Sequence, residues 1–338
     1  MPISLEDTLV VAVTSTALFD LSEPDGVYKE ARDNLGDDEA IRQYRKFMFK
    51  TENDELLAGT GLPVVEALLK LNSHSEDTSS PLVQVVVMSR NSPETGMRIL
   101  NNIRKMELNI PRTVFTGGET VTDYLEAYDV DLFLTTDPTD AQTVADSNVC
   151  AVALLKDPPK NSSDSNDTQV RIAFDGDAVL FDEESELVYK TSGLPNFLEH
   201  ERKLEDVPMS EGPYAAFMKK LARLQDRLPF QMELSPIRIA IVTARNSPAD
   251  IRVIKTLRSW GVYADAVFFM GGLEKTSVLK AYKPHIFFDD QDIHLDKASS
   301  DVPSGKVPYN SNSPLAKKVI TPKRRQGFLS LFRKNPNQ

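Results

Sequence analysis

Two long blocks of this sequence occur twice. VVVMSRNSPETGMRILNNIRKMELNI resembles IAIVTARNSPADIRVIKTLRSWGVYA, and VFTGGETVTDYLEAYDVDLFLTTD resembles VFFMGGLEKTSVLKAYKPHIFFDDQ. The offset between matched residues is nearly constant, at 155 positions from Arg90 to Arg245 and 154 from Gly117 to Gly271. Because the blocks keep their order as well as their spacing, the sequence predicts two similar structural halves.

Each half alternates apolar runs with stretches of helical periodicity, which predicts an α/β fold with parallel sheets and right-handed crossovers. The polar, breaker-rich run KDPPKNSSDSNDTQ indicates a linker between the halves. We therefore expect a first half at residues 1–155, a linker at 156–169, a second half at 170–298 and a flexible C-terminal segment at 299–338.

The two halves differ in charge at the predicted ends of their strands. Asp175, Asp177, Lys275, Asp289 and Asp290 of the second half stand opposite Thr14, Thr16, Val121, Thr135 and Thr136 of the first. Clustered carboxylates repel one another and cost stability, so packing alone does not require them. Ligands of parallel α/β sheets bind at the carboxyl ends of the strands. The second half is therefore predicted to carry an acidic site that the first half has lost.

Carboxylate oxygens without a His or Cys cluster are the ligand set of a hard cation, above all Mg²⁺. Such an ion neutralises the acids and polarises a phosphoryl oxygen, and Lys275 and Thr243 add an ammonium and a hydroxyl for the same group. Asp175 could attack phosphorus while Asp177 protonates the leaving oxygen. The alternative for this pair is a solvated turn after a strand.

The composition limits the classes of partner and compartment. A formal charge of −11 and a pI of about 5.0 argue against a nucleic-acid-binding protein. A single cysteine, Cys150, forms no intramolecular disulfide and is typical of a reducing cytoplasm. No apolar run reaches the roughly 18 residues of a membrane span, so integral membrane association is not expected. A homo-oligomer is left open.

The acidic motifs resemble those of haloacid dehalogenase-like phosphohydrolases. FDGDAVLF resembles the nucleophile motif, IVTAR the second motif, GGLEKTSVLKAYKPH the third and IFFDDQ the fourth. Together with GTGLPVVEALLKLN, SRNSPETG, TLRSWG and KPHIFFDDQ, the chain from about Val10 to Asp292 resembles the cytosolic 5′-nucleotidase type I family. The resemblance implies two Rossmann-like halves, with the second half catalytic.

The resemblance also implies Mg²⁺-dependent hydrolysis of nucleoside 5′-monophosphates such as AMP. Asp175 would be the nucleophile that forms an aspartyl-phosphate, and Asp177 the general acid that later acts as base. The implied metal site contains Asp175, the backbone carbonyl of Asp177, and Asp289 with or without Asp290. Thr243 and Lys275 would bind the phosphoryl group.

Four residues of the repeated RNSP motif are candidates for substrate binding, namely Arg90, Asn91, Arg245 and Asn246. Because the motif is present in both halves, a structural role is the competing interpretation. Two other functions remain open at this point. The acids would serve equally in a phosphatase of another small metabolite, and a nucleotide sensor would bind without turnover.

Overall fold

The computed structural model describes residues 5–75, 80–160, 169–228 and 234–317. Most of the predicted linker, at 161–168, and the end of the C-terminal segment, at 318–338, lie outside the described residues. The strands are Leu9–Thr14 (β1), Val83–Ser89 (β2), Arg112–Phe115 (β3), Leu132–Thr135 (β4), Ala151–Leu155 (β5), Val170–Phe174 (β6), Ile237–Thr243 (β7), Ala266–Phe269 (β8), Ile286–Asp289 (β9) and Ser304–Lys306 (β10).

These strands form one sheet in the order β3-β2-β1-β4-β5-β10-β9-β6-β7-β8. Every neighbouring pair is parallel except β5 and β10, which pair antiparallel with Leu155 opposite Gly305. The first five strands in the chain therefore run opposite to the last five. Consequently the carboxyl ends of β1 to β5 and those of β6 to β10 lie at opposite edges of the sheet.

Helices cover the sheet and lie largely in the connections between strands. They are Ser15–Leu18 (α1), Ser22–Leu35 (α2), Asp37–Lys50 (α3), Leu62–Lys70 (α4), Met97–Lys105 (α5), Pro138–Ser147 (α6), Glu184–Lys203 (α7), Ala215–Asp226 (α8), Asp250–Ser259 (α9), Thr276–Tyr282 (α10), Asp292–Ala298 (α11) and Pro314–Lys317 (α12). Gly193 has non-helical dihedral angles and kinks α7. In the described part of the chain, no helix combines the length and apolar character that a membrane crossing requires.

The strands are apolar on both faces because helices cover both sides of the sheet. All residues of LVVAVT in β1 and VQVVVMS in β2 are buried. On one face a single apolar cluster runs through both halves, from Val13 and Leu155 to Val307 and Phe174. On the other face the two halves have separate clusters, which contain Ala12 and Ala173 respectively. The shared cluster makes the described chain one α/β unit with a mostly parallel sheet.

The segment predicted to be flexible from residue 299 contributes one strand to the sheet. Residues 304–306 form β10 between β5 and β9, and the backbone N–H of Lys156 donates to the carbonyl of Ser304 at 2.9 Å. A Cβ on Gly305 would lie 2.8 Å from the Cβ of Ala153, so glycine permits this close approach of strands. The strand has only three residues, SGK, and offers no apolar alternation by which the sequence could predict it.

Candidate active site

The carboxyl ends of three adjacent strands bring the predicted acidic residues together. Asp175 follows β6, Asp289 ends β9 with Asp290 next in the chain, and Thr243 ends β7. The backbone N–H of Asp175 donates to the carbonyl of Phe288 at 2.8 Å, which joins the first two strand ends. These side chains and that of Lys275, which precedes α10, are all at most 5% exposed. The sequence prediction that they converge is therefore met in the fold.

Three carboxylates form the centre of the site. Asp175, Asp289 and Asp290 each place an oxygen within 4.8 Å of the others. The ammonium of Lys275 lies 2.8 Å from Oδ1 of Asp175 and 2.7 Å from Oδ2 of Asp289. The backbone N–H of Gln291 donates to Oδ1 of Asp289 at 2.8 Å. One cation and one amide thus offset part of the repulsion among three buried acids.

The electrostatics of this cluster favour binding of additional positive charge. Burial raises the pKa of Asp175 to about 6, although Lys275 opposes the shift. Burial also raises the pKa of Asp289 and raises that of Asp290 well above its usual value, and the charge of Asp175 adds to the latter shift. Burial disfavours the charged form of Lys275, but Asp175 and Asp289 outweigh it and raise the pKa of the ammonium.

Asp290 supplies the observation that distinguishes a metal site from a simple ion pair. Its Oδ2 accepts a hydrogen bond from the hydroxyl of Tyr309, whereas its Oδ1 is buried without a hydrogen-bond partner. A buried carboxylate oxygen without a partner is costly unless a cation or donor binds it. Two more carboxylates lie beside it, and among the described residues the group placed to hold a metal here contains no His or Cys. This set fits a hard divalent cation held by Asp175, Asp289 and Asp290.

Tyr309 was not anticipated from the sequence. It follows β10, and the backbone N–H of Val307 donates to the carbonyl of Asp289 at 2.9 Å, which carries the chain past the acids. Tyr309 also lines a cavity of about 720 Å³ together with Ala178, Gly212 and Val152. Its ring therefore lies between that cavity and the carboxylate of Asp290. Only a sequence signal for β10 could have predicted this position.

The side chain of Asp177 lies outside the three-carboxylate group. Nε of Arg245 donates to its Oδ2 at 2.9 Å, and Nη2 of Arg245 donates to its Oδ1 at 2.6 Å. The same guanidinium donates through Nη1 to Glu201. Burial disfavours the charged guanidinium, but Asp177 and Glu201 raise the pKa of Arg245. Arg245 therefore belongs to the site as a bidentate partner of Asp177.

Glu201 is a second residue that the sequence did not reveal. It is fully buried on α7, and its Oε1 accepts from Nη1 of Arg252 at 3.0 Å and from the hydroxyl of Ser185 at 2.7 Å. The chain Asp177–Arg245–Glu201–Arg252 thus links the loop after β6, the loop after β7, α7 and α9. A glutamate within FLEHE carries no motif signal, so only the fold identifies this role.

Gly176 packs against Thr243. A Cβ on Gly176 would lie 3.2 Å from Oγ1 of Thr243, and the backbone N–H of Gly176 donates to Oδ1 of Asp175 at 2.7 Å. Oγ1 of Thr243 accepts from the backbone N–H of Arg245 at 3.2 Å. Asn246, another candidate for substrate binding, is exposed and packs near Gly271: a Cβ built on Gly271 would lie 3.4 Å from the Cβ of Asn246. The glycine between the two acids thus allows their loop to lie close to the end of β7.

Arg90 and Asn91, the other two candidates for substrate binding, lie at a different edge of the sheet from this site. They follow β2, whose carboxyl end lies at the opposite edge of the sheet from that of β6. Arg90 forms an ion pair with Asp140, and Oδ1 of Asn91 accepts from the hydroxyl of Tyr44 at 3.2 Å. This separation depends on the antiparallel β5–β10 pair, which reverses one set of strands and which no motif in the sequence indicates.

Comparison with known proteins agrees with this geometry. The family model described as 5′-nucleotidase matches residues 1–314. Human cytosolic 5′-nucleotidase 1B is 34% identical over 299 residues, which cover 87% of this chain and 47% of that protein. The chain thus spans about half the length of this relative. Since the family match includes nearly all of the described residues and every member of the acidic cluster, the chain belongs to the 5′-nucleotidase family.

Proposed function

We propose that this protein is a Mg²⁺-dependent 5′-nucleotidase that hydrolyses nucleoside 5′-monophosphates to nucleoside and phosphate. The observation that carries the proposal is the cluster of Asp175, Asp289 and Asp290 with Lys275. Asp177 lies two residues along the chain from Asp175. Family membership and the name of the human relative support the nucleotide as substrate. That name also supports a cytoplasmic location.

The proposed chemistry assigns different work to the two acids of the loop after β6. A carboxylate oxygen of Asp175 attacks phosphorus, and the bond from phosphorus to the 5′ oxygen breaks to leave an aspartyl-phosphate on Asp175. Asp177 donates its proton to the departing 5′ oxygen and then accepts a proton from the water that releases phosphate. Thr243 and Lys275 bind the phosphoryl oxygens through a hydroxyl and an ammonium.

Mg²⁺ would be held by Asp175, Asp289 and Asp290, with the backbone carbonyl of Asp177 as a further oxygen donor. When bound, it supplies charge that neutralises the acids and polarises the phosphoryl group. Arg245 orients the carboxylate of Asp177 through its two hydrogen bonds, and Glu201 holds Arg245 in turn. Asp177, the proton donor, is therefore paired with Arg245, whereas Asp175, the nucleophile, is paired with Lys275, so the two acids have different environments.

We also propose that the first half is a non-catalytic relative of the second, with haloacid dehalogenase-like character in both. Read inward from each edge, the strands follow the same pattern, β3-β2-β1-β4-β5 and β8-β7-β6-β9-β10. At the first-half positions that correspond to the acids, hydroxyls bond to one another. Oγ1 of Thr14 lies 3.2 Å from Oγ1 of Thr16, and Oγ1 of Thr136 donates to the same atom at 2.6 Å. In this proposal the duplication kept the fold and lost the metal site.

One assay tests the proposed activity. We expect phosphate release from nucleoside 5′-monophosphates in the presence of Mg²⁺, with sugar phosphates turned over far more slowly and a chelator abolishing release. Preference for a sugar phosphate would instead support a phosphatase of another metabolite. Nucleotide binding by calorimetry without any turnover would support a sensor and would contradict hydrolysis.

Replacement of Tyr309 by Phe tests the metal site directly. Removing the hydroxyl leaves Asp290 without its donor, and loss of such an outer contact weakens metal binding by about tenfold to 100-fold. We expect Tyr309→Phe to bind Mn²⁺ more weakly in a titration followed by electron paramagnetic resonance. The same shift should occur in the Mg²⁺ concentration needed for turnover. Tyr263→Phe, at a residue that is 74% exposed, is the control, and equal Mn²⁺ affinity in both variants would contradict the role.

A further inference from the structure

Helix α7 carries two Glu–Lys pairs at i, i+4 spacing that differ in their exposure to solvent. Nζ of Lys190 lies 2.9 Å from Oε1 of Glu186, and the side chains of the lysine and the glutamate are 22% and 14% exposed. Nζ of Lys203 lies 2.7 Å from Oε1 of Glu199, where the two side chains are 71% and 61% exposed. Because an exposed pair already stabilises a helix, helix stability alone does not explain why Glu186 is withdrawn from solvent.

Glu186 lies within electrostatic reach of the acids of the candidate active site. Burial raises the pKa of Glu186, and Lys190 opposes the shift. Burial likewise raises the pKa of Asp289 and that of Asp290, and the charge of Glu186 adds to each shift. Like charges that lie near one another repel and cost stability. Packing therefore does not account for a further acid at this position.

Two hydrogen bonds of Gln291 connect Glu186 to the candidate metal site. Nε2 of Gln291 donates to Oε1 of Glu186 at 3.2 Å, which joins α7 to the residue that follows Asp290. The backbone N–H of the same glutamine donates to Oδ1 of Asp289 at 2.8 Å. Because one residue makes both hydrogen bonds, Glu186 restricts the position of the amide that holds Asp289.

We propose that Glu186 is a positioning residue for the divalent cation and acts on Asp289 through Gln291. The inference rests on the metal site of the proposed function. A carboxylate ligand binds a cation best when an outer hydrogen bond fixes its orientation, and Gln291 supplies that bond to Asp289. Lys190 offsets the charge of Glu186, so the carboxylate can accept from Gln291 close to the other acids.

Binding of Mn²⁺ to the folded protein tests this role without turnover. In a titration followed by electron paramagnetic resonance, Glu186→Ala should bind Mn²⁺ about tenfold to 100-fold more weakly than the wild type, as expected for loss of an outer contact. Glu186→Gln should recover most of the affinity, because its amide oxygen can still accept from Gln291. Glu199→Ala, in the exposed pair of the same helix, is the matched control and should bind Mn²⁺ as the wild type does.

A double-mutant cycle tests whether the effect passes through Gln291. Gln291→Ala removes the side-chain donor but keeps the backbone N–H, so it should weaken Mn²⁺ binding to the same degree as Glu186→Ala. The double variant should bind Mn²⁺ as weakly as either single variant, within about twofold. Gln291→Ala also takes the place of Glu186→Ala if the urea midpoint shows that the latter does not fold.

The outcomes separate this inference from the proposed function. If the wild type binds no Mn²⁺ at a site that Asp289→Asn weakens, the proposed function fails and the inference fails with it. If the wild type binds Mn²⁺ there and folded Glu186→Ala binds it equally, only the positioning role is overturned. Equal losses in Glu186→Ala and Glu186→Gln, or additive losses in the double variant, would likewise contradict a route through Gln291.

Discussion

Asp175→Asn should reduce the steady-state release of phosphate from a nucleoside 5′-monophosphate by about 10⁴-fold or more. The substituted amide keeps the size of the side chain but is a far poorer nucleophile toward phosphorus. It also removes one of the three carboxylates that surround the proposed metal position. The chain should still fold, because Lys275 retains its contact with Asp289 at 2.7 Å and one repulsive charge is gone. Circular dichroism and the urea midpoint of unfolding check this.

A matched variant separates loss of chemistry from loss of an acid in this loop. Oδ1 of Asp182 accepts from the backbone N–H of Glu184 at 3.2 Å, which an asparagine side chain also does, so Asp182→Asn should keep most of the activity. Rapid acid quenching of the wild type with ³²P-labelled substrate should trap label on the protein that hydroxylamine removes. Trapped label in Asp175→Asn, or turnover within tenfold of the wild type, would show that another residue is the nucleophile.

The sequence was sufficient to place the acidic cluster because of a general property of parallel sheets. Asp175 and Asp289 directly follow or end apolar runs, and neighbouring parallel strands bring such ends to one edge. Comparison of the two halves then showed that packing does not require these acids, since the first half has threonines at the same positions. Placement of Lys275 followed from the same comparison, with Val121 as its neutral counterpart.

The features that the sequence did not predict depend on contacts between distant elements. Tyr309 reaches Asp290 only because three residues without apolar alternation form β10. Glu201 acts through two arginines on other elements, and neither spacing nor composition marks it. Arg90 and Asn91 lie at the opposite edge of the sheet from the acids because the relative strand direction of the two halves depends on one antiparallel pair. Local patterns determine strand ends, whereas the junction of the halves is determined by tertiary packing.

The buried ion cluster around Asp177 has a consequence for catalysis. A bidentate pair with Arg245 holds the carboxylate in one orientation, and Glu201 and Arg252 hold Arg245 from behind. A proton donor must be within hydrogen-bond reach of the leaving oxygen, and a fixed carboxylate meets that requirement without a search for the right rotamer. In the proposed mechanism Asp177 is protonated and deprotonated within one turnover, and protonation weakens its pair with Arg245, so the cluster would have to tolerate both states.

Asp177→Asn should therefore separate substrates according to their leaving groups. For AMP, whose leaving group is the poorly stabilised 5′-alkoxide of adenosine, loss of the proton donor should lower the rate of aspartyl-phosphate formation by about 10²–10⁴-fold. For p-nitrophenyl phosphate, whose phenolate departs without protonation, the same step should change by less than about tenfold. Single-turnover measurements with both substrates give these rates.

The second role of Asp177 makes the prediction sharper. If it also accepts a proton from the attacking water, the variant forms the aspartyl-phosphate from p-nitrophenyl phosphate quickly and hydrolyses it slowly. Stopped-flow absorbance should then show a burst of one equivalent of p-nitrophenolate per site, followed by a slow phase, and AMP should give no burst of adenosine. Equal losses with both substrates and no burst would mean that Asp177 acts through the shape of the loop and not as acid and base. Because Arg245 and Glu201 hold that loop in either case, the leaving-group dependence is the property that distinguishes proton transfer from positioning.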